Sequence, residues 1–140
     1  MLRALILSAT LCLYCTTSAV AQSSEALALQ GSKAWGAFRC AGLAKSMSDM
    51  DEHLRLTSVG YKNASAFVEA YQQGRIQQGD IERHIASGVI LELSNEPVDF
   101  VVARIALTAE ENAQFLAGNG QPLTNLQASV AFTNQNCRHL

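Results

Sequence analysis

The alternation of apolar and polar positions divides the chain into an apolar leader followed by a series of helical stripes. Residues 4–14 are mostly apolar, follow a lone Arg3, and lead to Ala19-Val20-Ala21 before Gln22. A positive start, a short apolar core and a small-x-small site form the layout of a secretory signal peptide, and the run is too short to span a bilayer. Residues 1–21 are expected to be cut off between Ala21 and Gln22, leaving residues 22–140 as a single domain. The product is then periplasmic or secreted, in an oxidising place, with no stable membrane anchor.

From Ser23 to about Lys45, Trp35, Phe38 and Leu43 with small residues between them give an apolar stripe at helical spacing. Gly31, Gly36 and Gly42 each cost about 1 kcal/mol in a helix interior. They point either to a break near Gly31 or to close approach of another helix. Asp49-Met50-Asp51-Glu52 reads as a capping box, an N-cap acid with a glutamate three residues on. The helix it opens carries Leu54, Tyr61, Ala64, Val68 and Tyr71 on one face, and Gly74 closes it at C′. A shorter helix follows from Gly79 or Asp80 to Ile85.

Residues 87–107 admit two patterns. Val89-Ile90-Leu91-Glu92-Leu93, Asn95-Glu96-Pro97 and residues 98–107 could pair as a hairpin, which would make the domain α+β. Helical spacing fits better: Val98, Val101, Val102, Ile105, Asn112 and Leu116 follow a 3.6 period, with Pro97 in the first turn. Thr108-Ala109-Glu110-Glu111 is a second capping box, so a fresh helix is expected there. A turn at Gly118-Asn119-Gly120-Gln121-Pro122 precedes a last helix, residues 123–134, with Leu126, Val130 and Thr133 inward. The expected fold is therefore an all-α, single-domain helical bundle.

Composition removes some partners. Without Arg3, 9 Lys+Arg face 12 Asp+Glu, a formal net charge of −3. That offers no electrostatic footprint for nucleic acid and no basic face for an anionic membrane. Cys12 and Cys15 form a Cys-x-x-Cys, but it lies in the signal core with no βαβ pattern around it. Cys40 and Cys137 remain, and an even count in a small exported chain reads as a disulfide, here one that closes the bundle.

Candidate chemistry is sparse. The chain contains no Gly-x-Ser-x-Gly elbow, His-Glu-x-x-His helix or phosphate loop. Asp49/His53 and Asp80/His84 each share a helix face and together could ligate zinc, although helix dipoles explain the acids equally well. No metal and no cofactor is expected. Glu92 and Arg104 sit in the most apolar stretches, either with Glu92 as a pocket carboxylate for acid–base work or as charges that face solvent or pair with each other. Asn63-Ala64-Ser65 matches a glycosylation sequon, inside a helix rather than on a loop. The aromatics Trp35, Phe38, Tyr61, Phe67, Tyr71, Phe100, Phe115 and Phe132 read mainly as core. Trp35 and Phe38, beside glycines, are the candidate anchors for a partner.

In size, export and single bridge the chain resembles two bacterial classes. These are periplasmic acid-stress chaperones and immunity proteins that neutralise effectors delivered into the periplasm. The resemblance is one of class, since the Cys40–Cys137 spacing is far wider than in the chaperones, and class does not fix function. The expectation is a non-enzymatic binding factor for another envelope protein, such as an inhibitor, immunity protein or stress factor. The alternatives are a holdase chaperone and an enzyme built on a buried carboxylate.

Overall fold

The computed structural model describes residues 22–118 and 121–140, and residues 1–21, where the sequence places the expected signal segment and its cut after Ala21, lie outside them. Among the described residues six α-helices follow in order: α1 Ser24–Ser46, α2 Met50–Gln72, α3 Gln78–His84, α4 Ser87–Glu92, α5 Val98–Gly118 and α6 Asn125–Asn134. A 3-10 turn, Cys137–His139, ends the chain, and no strand occurs among the described residues. The fold is all-α. None of the described helices is long and apolar enough to cross a membrane.

Helix α1 is the axle of the bundle, packed against α2, α3, α5, α6 and the C-terminal turn. Its small residues make this possible, because Ala28, Ala34, Ala37, Ala41 and Ala44 are buried on nearly every side. It runs unbroken through Gly31. At Gly42 a Cβ would come within 3.0 Å of the Glu110 backbone, so the missing side chain lets α5 lie directly on α1. Two apolar clusters result. The larger joins the first half of α1 to the second half of α2 and to α3, α4 and the start of α5, around Phe38, Phe67, Val101, Val102 and Ile105. The smaller holds Leu43, Leu56, Ala113 and Phe132 around the Cys40–Cys137 disulfide, whose Cα atoms are 5.6 Å apart.

The helix ends follow local rules. Asp49 caps α2 by accepting the Glu52 amide at 3.2 Å, but the Glu52 carboxylate turns to Arg55 instead of completing the box. Gly74, at φ +65°, ends α2 in a Schellman motif, with Gly74 N–H on the Tyr71 carbonyl and Arg75 N–H on that of Ala70. Ser48 and Asn136 take the same left-handed place after α1 and α6. At the start of α6, Thr124 and Gln127 form a complete capping box.

Several inward assignments are corrected. On α2 the buried ridge is Leu56, Gly60, Ala64, Phe67 and Val68, while Leu54 is 63% exposed and Tyr61 flanks Phe38 edge-on at 5.5 Å. On α6, Ala128 and Phe132 are buried, whereas Leu126, Val130 and Thr133 face solvent. Residues 87–107 form α4 and the first half of α5, not a hairpin, with Pro97 immediately before α5. No helix starts at Thr108, since α5 continues through it and its hydroxyl donates to Glu92 Oε1 at 2.9 Å. Asn119, Gly120 and the Leu116 side chain fall outside the described set.

Candidate functional site

Each polar candidate can be followed to its partner. Glu92 at the end of α4 meets Arg104 of α5, with Arg104 Nε 3.1 Å from Glu92 Oε2. Arg104 Nη2 donates to the Glu92 carbonyl at 2.8 Å and to Ser94 Oγ at 3.1 Å, and Nη1 pairs with Glu96. The hydrogen bond from Arg104, then that from Ser94, holds the Glu96 carboxyl below its ordinary range. With Thr108 on the other oxygen, Glu92 is engaged on both sides in fastening the α4–α5 connection. The arrangement is a clasp between two helices, with Glu92 and Arg104 paired across it.

The histidine pairs do not converge. His53 Nδ1 donates to the Ala41 carbonyl at 3.0 Å, near the far end of α1. His84 Nε2 lies 3.5 Å from Glu25 Oε1, in the first turn of the same helix. Sixteen helical residues separate Glu25 from Ala41, about 24 Å of rise, so one ion cannot reach both rings. Asp80 accepts from Ser24 Oγ at 2.5 Å and so tethers α3 to the start of α1. Among the described residues no group of three or more His, Cys, Asp or Glu is placed to hold a metal ion. Asn63 sits in mid-helix, with its side-chain nitrogen donating to the Val59 carbonyl at 2.7 Å.

A polar cleft of about 410 Å³ opens between the start of α2, α6 and the C-terminal turn. Asp49, Glu52, Arg55, Ser129, Thr133 and Arg138 line it, over Met47 and Phe132. Arg55 forks onto Glu52 with two 2.7 Å bonds and reaches the carbonyls of Leu140 at 3.1 Å and Cys137 at 3.3 Å. The hydrogen bond from Arg55 holds the Glu52 carboxyl below its ordinary 4.5. The charges in this cleft fasten α2 to the turn that carries Cys137.

The anchors proposed from sequence serve the fold. Phe38 is fully buried, and Trp35 is half-buried with its ring against Gly88 of α4, where no Cβ would fit. A partner contact centred on Phe38 is therefore ruled out by its burial.

The exposed apolar surface lies elsewhere, on residues read from sequence as core or left unassigned. Along the outward side of α5, Phe100 is 67% exposed, Leu107 63% and Phe115 61%. Their i, i+7, i+15 spacing keeps them within one face of a helix. Met50 and Leu54 make a shorter outward pair at the start of α2, and Leu126 and Val130 another on α6. The signal was present in the sequence: α5 has a second apolar set between its inward valines. The inward valines satisfy a 3.6 period by themselves, so the second set passes for core in the sequence. Comparison with protein-family models, with curated proteins and with solved structures gives no match.

Proposed function

We propose that this is an exported, non-enzymatic binding factor whose contact face is the outward stripe of α5. One observation carries the proposal. Phe100, Leu107 and Phe115 stand more than half exposed in a line on a helix whose opposite side buries Val101, Val102, Ile105, Ala109 and Ala113. Single exposed apolar side chains are ordinary, but aligned ones mark contact surfaces, and aromatic anchors dominate binding energy. Supporting it, the polar groups best suited to chemistry, Glu92 and Arg104 above all, are engaged in holding helices together.

Affinity capture with the exported protein from its own envelope fraction tests this. Leu107→Asp should weaken capture by about five- to thirtyfold, the effect of losing 1–2 kcal/mol at a central anchor, with helix content unchanged. A defined turnover abolished by Glu92→Gln would defeat the binding reading. The holdase alternative draws on the same exposed apolar side chains. It calls for dye binding that rises as pH falls and suppressed aggregation of an unfolded client.

A further inference from the structure

Export with the expected cut after Ala21 makes Gln22 the first residue of the working protein. A glutamine in first position holds a free amine and a primary amide on one residue, spaced to close a lactam ring of low strain. Attack within one residue proceeds at an effective concentration that no separate nucleophile reaches.

The surroundings of Gln22 suit this closure. The residue is exposed and stands before the N-cap of α1, outside the helix, and its N–H donates to no backbone carbonyl among the described residues. The bonds that start α1 come from the next residue. The Ser23 carbonyl accepts the Leu27 amide at 3.0 Å, and Ser23 Oγ accepts that of Ala26 at 3.1 Å. A ring closed on Gln22 leaves both in place.

The Gln22 side chain is held by one end only. Gln30, eight positions on, donates its Nε2 to Gln22 Oε1 at 3.3 Å. Gln30 Oε1 is buried, so Nε2 is the end that Gln30 presents to Gln22. Gln22 Nε2, the atom that has to leave, donates to nothing among the described residues. A donor on the carbonyl oxygen draws charge from Cδ and takes up the charge that gathers on Oε1 as the amine attacks.

We infer that Gln22 is a modification site, where the mature N-terminus closes to pyroglutamate with Gln30 as the donor at the reacting carbonyl. The neutral α-amine attacks Gln22 Cδ. The N–Cδ bond forms, the Cδ–Nε2 bond breaks, and Nε2 leaves as ammonia with a proton from the amine. No oxidant, reductant or cofactor enters. An unperturbed α-amine titrates at about pH 8, so roughly a tenth of it is the neutral nucleophile at neutral pH. The product carries no charge at its start. Positive charge is unfavourable at the N-terminal end of a helix, where the peptide dipoles already present their positive end, so closure relieves a repulsion on α1.

The inference rests on the proposed export and the cut after Ala21, and intact mass separates the parts. The exported protein should weigh residues 22–140 less the hydrogens lost to the Cys40–Cys137 bridge and less one ammonia. Gln22→Ala should show no ammonia loss. Pulse-labelled protein sampled after export gives the rate. Gln30→Ala should slow closure about two- to tenfold, the worth of one hydrogen bond at the reacting carbonyl. In concentrated urea, where Gln30 no longer stands beside Gln22, the two chains should close at one rate.

A chain that begins at Gln22 and keeps its amine would overturn the site while export stands. A start at another residue beyond the signal would move the cut and remove the site with it, and intact Met1 would overturn export itself. Equal rates for wild type and Gln30→Ala in the folded protein would overturn the part given to Gln30.

Discussion

Phe38 lies directly on Gly60: a Cβ at Gly60 would stand 2.5 Å from Phe38 Cε1, and the ring is fully buried with no room to move aside. Two helices approach here because one residue has no side chain. Gly60→Ala gains about 1 kcal/mol of helix propensity but overpacks a closed core, which costs about 1–3 kcal/mol. A net loss of up to about 2 kcal/mol in urea unfolding is expected. Gly79→Ala on α3, where a Cβ meets nothing within 4 Å, should be neutral or mildly stabilising and serves as the control.

Ser48 carries a φ of +64° at an exposed position, bonding as the C′ residue of α1. A side chain in that region costs about 1–2 kcal/mol that glycine avoids. Ser48→Gly should therefore stabilise the protein by on the order of 1 kcal/mol, less the greater entropy of glycine in the unfolded chain. Differential scanning calorimetry on the variant checks the sign.

The Cys40–Cys137 bridge spans 97 positions of sequence and joins α1 to the C-terminal turn. A loop of that length is worth about 4.7 kcal/mol of denatured-state entropy. Replacing both cysteines with alanine should lower the unfolding free energy by about 2–5 kcal/mol. Two reactive thiols in the unfolded, unreduced wild type would contradict this.

Arg104→Leu removes the ties from α5 to Glu92, Ser94 and Glu96 together. Because the guanidinium is 39% exposed, water takes up part of the loss, and the expected cost is about 1–2 kcal/mol. Hydrogen exchange should quicken first in α4 and in the 93–97 connection. Uniform quickening across the bundle would show that the clasp is not local.

Acid should loosen the join between α2 and the C-terminal turn. The Glu52 carboxyl is held below 4.5 by its hydrogen bonds from Arg55. A depressed carboxylate contributes stability that is present above its unfolded value and lost as pH falls through the lower folded one. Wild type should lose more stability between pH 5 and about pH 2 than Glu52→Gln does. Parallel curves for the two would remove Glu52 from the account.

Local chemistry was legible in the residues themselves. Gly74 marks the end of α2 because left-handed backbone favours glycine, and Asp49 marks its start because an acid can take a free amide there. The all-α class and the pairing of two cysteines in 22–140 follow from periodicity and count, both properties of the chain alone.

What tertiary structure decided is which side of each helix is covered. Helices α2, α5 and α6 each carry apolar residues on more than one side, so the period alone could not choose between Leu54 and Leu56 or between Phe100 and Val101. The choice was made by α1, whose string of alanines and glycines lets neighbours close in on nearly every side and buries whichever ridge fits. Thr108 shows the same limit. Its spacing to Glu111 satisfies a cap, yet its hydroxyl binds Glu92 from another helix. Sequence specifies what a backbone segment can do alone, and only packing, which acts between segments far apart in the chain, determines the use made of each face.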